Sequence, residues 1–372
     1  MSEGRMPEKL LMTTDAVGGV WTYSVELASA LASSGVKVFL ATMGPAVTRA
    51  QLKEATSAGA DLFESGFKLE WMDDPWLNVE LAGKWLLRIE EYTMPDIVHL
   101  NGYCHGALPW VAPCVIAAHS CVLSWWEAVR RTPVSYDWRR YAAEVEKGLS
   151  GARAVVAPTN AMLKSLKKHY SFDAPSDVIP NGRDSALFRP GTKKEEFILT
   201  AGRLWDEAKN IEALQGAAGG LSWPVYAAGA LEHGAESFKA DGSMRMLGAL
   251  GSTELSGWMA SASIFALPAR YEPFGLTILE AALSGCALVL GDIPSLRETW
   301  EGAALFVNPD KPSSLAVTLE SLSADKALRE RLGALARDRA LEFTPQRMAW
   351  GYIDIYRRLL AEGAERTERC VS

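Results

Sequence analysis

The 372-residue sequence has little that would commit it to metal or redox chemistry. Its five cysteines, Cys104, Cys114, Cys121, Cys286 and Cys370, are odd in number and scattered, and no C-x-x-C pair occurs. That spacing excludes a zinc ribbon, a dithiol centre and a disulfide scaffold, and predicts a reducing compartment. The five histidines show no metal-like spacing. The opening residues, MSEGRMPEKL, lack an apolar signal core, and no run approaches the ~18 apolar residues that span a bilayer, so a soluble cytoplasmic protein is expected. Positive charge is also short: 38 Lys and Arg stand against 45 Asp and Glu, a formal net charge of -7. Nucleic acid is therefore not an expected partner, and an anionic ligand must be met locally, by a helix N-terminus or a few placed cations.

Several catalytic signatures are missing as well. There is no G-x-G-x-x-G after the first candidate strand, no G-x-x-x-x-G-K-[ST], no H-E-x-x-H and no G-x-S-x-G. Dinucleotide dehydrogenases, P-loop NTPases, zincins and α/β-hydrolases lose their usual support. No Asp-x-Asp occurs that could chelate a divalent ion on a nucleoside diphosphate, and neither a metal nor a bound cofactor is expected.

What is present is the composition of a globular protein with large cores: 48% hydrophobic, 22% charged, 31 Gly and 18 Pro. The length predicts about two domains. Short aliphatic runs alternate with longer amphipathic segments throughout, which is the pattern of βα units around parallel sheets and makes the fold class α/β. In the first half, strands are expected at 9–13, 37–41, 97–100, 115–118 and 154–157, with helices at 20–33, 75–91, 136–149 and 160–169. The stretch from Val178 to Pro190, VIPNGRDSALFRP, reads as turns and an interdomain connection. Strands then resume at 197–201, 225–228, 244–247, 264–267 and 287–290. From Pro312 to Leu360 the chain reads as helical throughout, with a last helix after Thr344-Pro345 that returns to the first domain. The expected domains are 1–187, with the helix of about 346–372, and 188–345. Two such sheets facing each other would form a cleft at the C-terminal ends of their strands.

Four segments place chemistry at strand ends. Gly18 and Gly19 follow the first strand and open a helix, where backbone N–H groups can meet phosphate. Gly202-Arg203-Leu204 with Lys209-Asn210 ends the first strand of the second domain, and its guanidinium and ammonium can clamp a diphosphate. Glu272-Pro273-Phe274-Gly275-Leu276-Thr277-Ile278-Leu279-Glu280 joins a tight loop to a helix. Its N–H groups point back at the loop, and its two carboxylates can accept sugar or ribose hydroxyls. His119-Ser120 closes the apolar run 113–118 at a strand's C-terminal edge.

Taken together and in this order, these segments resemble the GT-B-fold retaining glycosyltransferases of family 4 (glycosyl transferases group 1) over essentially the whole chain. Val178-Ile179-Pro180-Asn181-Gly182 and Arg245–Gly248 belong to the same resemblance. It implies two Rossmann-like domains, the first binding the acceptor and the second a nucleoside diphosphate sugar. On that resemblance Arg203 and Lys209 hold the diphosphate without a metal, aided by the backbone of Gly18 and Gly19 and of Phe274, Gly275, Leu276 and Thr277. Glu280 takes the ribose hydroxyls, Glu272 a sugar hydroxyl, Leu247 and Leu250 the region of the base, and His119 the sugar near its anomeric carbon. His119, Glu272, Arg203 and Lys209 are thus the expected catalytic set. Retention follows by front-face attack, the leaving phosphate taking the acceptor's proton, and the two glutamates are not a glycosidase pair.

The chain departs from the family at Ala228-Gly229-Ala230-Leu231, where Gly-x-Gly-Pro is frequent, and at Asn181-Gly182-Arg183-Asp184, where Asn-Gly-Val-Asp is. Arg183 is read as a surface residue beside the cleft, within reach of an anionic group. Eight of the 13 tryptophans lie at or before Trp138, and Trp125, Trp126 and Trp138 are acceptor candidates for a sugar or lipid-linked acceptor. Lys164–His169, Arg130-Arg131 and Arg139-Arg140 give a basic face for weak peripheral contact with anionic lipid at the inner face of a membrane. Two other readings share the fold: a protein that binds a nucleotide sugar without transferring it, and a sugar-nucleotide epimerase.

Overall fold

The computed structural model describes residues 5–233 and 236–371, with the side chains of His233, Glu236 and 364–371 outside the description. Ser372, the last residue of the expected returning helix, and the Cys370 side chain therefore lie outside the described structure. The Cα packing divides the chain into two compact units, one of residues 1–124, 132–182 and 345–372, the other of 125–131 and 183–344.

The first unit runs β1 (Lys9–Asp15), α1 (Gly19–Ser33), β2 (Lys37–Met43), α2 (Arg49–Ser57), β3 (Ala60–Glu64), α3 (Trp76–Thr93), β4 (Ile97–Leu100) and β5 (Cys114–Ala117). It continues with α4 (Val122–Val129), of which only 122–124 belong to this unit, α5 (Arg139–Gly151), β6 (Ala154–Ala157), α6 (Asn160–His169) and β7 (Ser176–Val178). The seven strands form one parallel sheet in the order β3-β2-β1-β4-β5-β6-β7. Its central strands β4, β5 and β6 are buried at every position, as a parallel sheet covered on both faces requires. The order reverses between β1 and β4, so the loops after β1, β4 and β5 meet at the switch point where α/β sheets bind ligands.

The second unit contains β8 (Glu195–Ala201), α7 (Ile211–Ala218), β9 (Val225–Ala228), the two-residue pair β10 (Glu232–His233) and β11 (Glu236–Ser237), β12 (Arg245–Gly248) and α8 (Ser252–Ser261). It goes on through β13 (Ala262–Leu267), α9 (Leu276–Leu283), β14 (Ala287–Gly291), α10 (Pro294–Trp300), β15 (Ala304–Val307), α11 (Pro312–Ala324) and α12 (Lys326–Ala340). Its six-stranded parallel sheet has the order β12-β9-β8-β13-β14-β15 and reverses between β8 and β13. One apolar core fills both of its faces, from Ile198 and Leu199 through Phe265 to Trp300 and Leu319. The last helix, α13 (Pro345–Val371), packs in the first unit against α1.

The structure divides the helical stretch ahead of the expected last helix in two. Asp325 sits in extended backbone and its carboxylate caps α12 by accepting from the Leu328 N–H at 2.9 Å, and a second break at 341–344 precedes Pro345. The reading also lacked β3, β7 and β15, each outermost in its sheet, whose residues are mostly half-exposed; β3 and β7 carry no long apolar run, whereas β15, ALFV, does. It lacked α2 too, although Thr48 and Gln51 form a reciprocal capping box there.

Candidate active site

In the second unit the loops leaving β8 and β13 are stitched together at the switch point. Gly202 turns the chain out of β8 with φ of 147°, a conformation that favours glycine, and Arg203 follows. Asp206 then caps a single turn of 3-10 helix (207–209) by accepting from the Ala208 N–H at 3.0 Å. Asn210 takes φ of 56° and donates its amide to the carbonyls of Pro268 (2.9 Å) and Pro309 (2.8 Å), while the Arg270 N–H reaches the Ala208 carbonyl at 2.8 Å. Asp206 did not stand out in the sequence, and Asn210 stood there only as the neighbour of Lys209, without a role. The signals were there: a short polar residue one position before a turn, and an Asn in a helix-start position that tolerates the left-handed region.

These anchors set the predicted cations. Arg203 Nη2 donates to Asp206 Oδ2 at 2.8 Å, with its guanidinium 5.5 Å from the Trp205 ring centroid, and stays 41% exposed. Lys209 Nζ donates to Glu272 Oε2 at 2.6 Å, both side chains being only 12% exposed. Burial raises the Asp206 carboxyl's pKa, but the charges of Lys209 and Arg203, with hydrogen bonds from Trp125 and the Ala208 amide, outweigh it and hold that carboxyl below its ordinary value.

Glu272 ends its loop in a tight turn at Gly275, which takes φ of 90° at the start of α9. That left-handed φ favours glycine, and a Cβ there would also stand 2.7 Å from the Ile278 Cδ1, the movable end of a side chain. Ser295 Oγ fixes the loop by donating to the Glu272 carbonyl at 2.5 Å. Phe274, Gly275, Leu276 and Thr277 thus place backbone N–H groups at the first turn of α9, beside the Lys209–Glu272 pair. Glu280 lies further along α9, 5% exposed, and accepts from Arg183 Nε at 2.7 Å. The expectation of a surface Arg183 is corrected here: it is 7% exposed, pairs with the predicted ribose acceptor and stacks on Phe188 at 4.9 Å. Leu247 and Leu250 are half-buried on the core of this unit, Leu247 at the register shift between the Met246 and Gly248 pairs of β12 with β9.

Three basic or aromatic candidates near position 130 prove to belong to this unit. Trp125 donates its indole N–H to Asp206 Oδ1 at 3.1 Å, Arg130 pairs with Glu207 at 2.9 Å, and Arg131 pairs with Asp310 at 2.7 Å. Trp126 is half-buried in the same segment, whereas Trp138 lies in the first unit, edge-on to Tyr141 at 5.6 Å. Arg139 and Arg140 lie over Tyr136 and Trp76, at 4.0 and 4.6 Å from the ring centroids. Lys167 and Lys168 occupy the last turn of α6, where cations complement the helix dipole.

In the first unit the candidates gather at the C-terminal edge of β1, β4 and β5. Gly18 takes φ of 75° and starts α1 without a side-chain cap, leaving first-turn N–H groups to other acceptors. His119 is half-buried, and Tyr23 from α1 packs edge-on against it at 4.4 Å. His119 Nε2 lies 2.8 Å from Asn101 Oδ1. Behind it His99, fully buried, bridges Tyr356 Oη (2.6 Å, at Nδ1) and Tyr23 Oη (3.2 Å, at Nε2). Burial lowers His119 to about 4, and burial together with the nearby His119 lowers His99 to about 3, so both rings are neutral at ordinary pH. Among the described residues no three His, Cys, Asp or Glu side chains cluster as metal ligands, and Cys104, Cys114, Cys121 and Cys286 are buried free thiols.

Two sheets of this order with ligand-type loops at both switch points define a two-domain α/β protein of the GT-B kind, and comparison with known proteins agrees. The family model Glycosyltransferase Family 4 matches residues 17–187, and Glycosyl transferases group 1 matches residues 184–339. The chain belongs to the GT-B glycosyltransferases of this family. A D-inositol 3-phosphate glycosyltransferase of Paenarthrobacter aurescens is 29% identical over 253 residues, 60% of this chain and 62% of that one. The sucrose-phosphate synthase of Thermosynechococcus elongatus superposes with a TM-score of 0.80 at 18% identity, covering 95% of this chain and 100% of that one. Anabaena HepE in complex with UDP-glucose superposes with a TM-score of 0.70 at 16% identity, covering 97% and 100%.

Proposed function

We propose that the protein moves a hexose-type sugar from a nucleoside diphosphate sugar to an acceptor hydroxyl, with retention at the anomeric carbon and without a metal. The observation that carries this reading is the placement of Arg203 and Lys209 on one anchored loop beside the first turn of α9, at the switch point of the second sheet. Breaking the anomeric C–O bond loads negative charge on the diphosphate, and fixed cations and N–H dipoles stabilise that charge as it develops. Arg203 and Lys209 act as the counter-charge, and the N–H groups of Phe274 to Thr277 bind the phosphate oxygens. Glu280, held by Arg183, accepts the ribose hydroxyls, and Glu272 accepts a sugar hydroxyl while keeping Lys209 in place. Leu247 and Leu250 border the base. The Gly18-Gly19 turn offers further N–H groups to an anion, His119 meets the transferred sugar, and Trp126 and Trp138 are aromatic surfaces for an acceptor. The oxygen of the leaving phosphate takes the acceptor's proton. The UDP-glucose complex of a solved neighbour makes UDP-glucose the first donor to try.

The test is release of free nucleoside diphosphate from UDP-glucose and other sugar nucleotides, with excess EDTA, in the presence and absence of a panel of sugar and lipid-linked acceptors. Acceptor-dependent release in EDTA is the expected result. Binding without release would overturn transfer in favour of a sugar-nucleotide-binding protein, and isomerised sugar nucleotide without acceptor would identify an epimerase. No helix among the described residues is long and apolar enough to cross a membrane. Contact with anionic lipid would rest on the Lys164 and Lys167 face of α6, since Arg130 and Arg131 are engaged in ion pairs.

A further inference from the structure

His119 carries two ring nitrogens that differ chemically, and its surroundings distinguish them. Asn101, just past β4, donates its side-chain amide to the Thr13 carbonyl at 2.6 Å and to Ser24 Oγ at 3.1 Å, while its backbone N–H donates to Thr13 Oγ1 at 2.9 Å. A backbone carbonyl only accepts, so the NH2 group of Asn101 must face Thr13 and its Oδ1 must face His119. That oxygen lies 2.8 Å from His119 Nε2 and also only accepts, so Nε2 must carry the ring proton. Among the described residues Nδ1 has no protein partner, and the side chain keeps part of its surface open. Tyr23, edge-on at 4.4 Å and itself hydrogen-bonded to His99, fixes the plane of the ring.

We infer that Asn101 is a positioning residue that locks His119 as the Nε2–H tautomer, so that Nδ1 serves the transferred sugar as a hydrogen-bond acceptor for a hydroxyl and not as an acid. The low proton affinity of the buried ring agrees, because an imidazole that stays neutral keeps that lone pair available. The role of Nδ1 rests on the transferase reading above, whereas the tautomer does not. A hydroxyl-accepting nitrogen selects a sugar that presents a donor there, and a deoxy sugar would leave the lone pair without its bond.

The test has two readouts. Long-range 1H–15N NMR of the full chain should show one histidine, removed in His119→Gln, that is protonated at Nε2 and bare at Nδ1 between pH 5 and 8; proton on Nδ1 would overturn the inference. In Asn101→Leu that ring should become a mixture of tautomers, and an unchanged single tautomer would overturn the role of Asn101. Asn places its side-chain oxygen near the Nδ1 position and Gln near Nε2. His119→Asn should therefore keep kcat/KM at least about tenfold above His119→Gln, a tenfold ratio corresponding to about 1.4 kcal/mol. Equal losses in the two variants would contradict an acceptor at Nδ1. If no sugar nucleotide is turned over at all, the transferase reading fails while the NMR result still decides the tautomer.

Discussion

The two switch points are alike in topology and opposite in chemistry. At the ends of β8 and β13 the side chains are ionic: Arg203 on Asp206, Lys209 on Glu272, Arg183 on Glu280. At the ends of β1, β4 and β5 the cluster linked by hydrogen bonds and ring contacts is neutral, made of Asn101, His119, Tyr23 and His99, while the carboxylates of Asp15 and Glu70 accept from backbone N–H groups. The same backbone scaffold therefore presents a site suited to phosphate in one unit and a site suited to hydroxyls in the other. In the ionic site each carboxylate holds a cation in place and would have to share it with a ligand. In the neutral site the hydrogen-bond directions are set in advance.

The largest effect expected from breaking this contrast is at Lys209. Lys209→Ala removes the ammonium and leaves Glu272 mostly buried without its partner. Turnover should fall by about 10²–10³, the usual loss for one preorganised stabiliser of developing charge, as read from steady-state kinetics. Next is the buried pair. Arg183→Leu takes the guanidinium away from the buried Glu280 carboxylate and should cost about 3–5 kcal/mol of stability in denaturant unfolding. The double variant Arg183→Leu/Glu280→Leu should recover most of that stability while still binding nucleotide weakly, which separates the pair's fold role from its ligand role. Gly275→Ala comes third, at about 1–3 kcal/mol, from a left-handed φ and the clash with Ile278. Trp125→Phe should cost least, a few-fold in KM for the sugar nucleotide, because Asp206 keeps the Ala208 amide and Arg203 when it loses the indole N–H.

The neutral site gives a pH signature of its own. His99 and His119 have their proton affinities lowered by folding, to about 3 and about 4, so the unfolded chain binds more protons below the ordinary histidine value of 6.5. Their contribution is complete above pH 6.5 and is lost progressively as the pH falls towards 4. The fall in Tm between pH 7 and pH 5 should therefore be smaller in His99→Asn than in the natural chain, measured by scanning calorimetry.

Much of this was legible in the residues. Buried parallel strands announce themselves as unbroken aliphatic runs, which is why β1, β2, β4, β6, β9 and β14 stood where the sequence placed them, within two residues. The edge strand β3 did not, because the acidic residues in ADLFE shorten its run, whereas β15, ALFV, carries such a run and is absent from the reading. Arg203, Lys209, Glu272 and Glu280 were visible because charge beside a glycine turn at a strand end is conspicuous. The partners of Arg203 and Glu280 were not: Asp206 is only three residues from Arg203 but is itself tied to Trp125, 81 residues away, and Arg183 and Glu280 are 97 apart. Asn101 was hidden for a different reason. Its role depends on which of its atoms faces Thr13, and residue type alone does not specify a direction.

The most direct test of the central claim is calorimetric titration of the full chain with UDP and UDP-glucose in EDTA, alongside Lys209→Ala. The expected result is metal-independent binding by the natural chain that is lost or weakened at least about tenfold in the variant, a difference of about 1.4 kcal/mol. Binding that requires added magnesium, or that is equally tight in Lys209→Ala, would contradict a diphosphate held by the cations of the second unit.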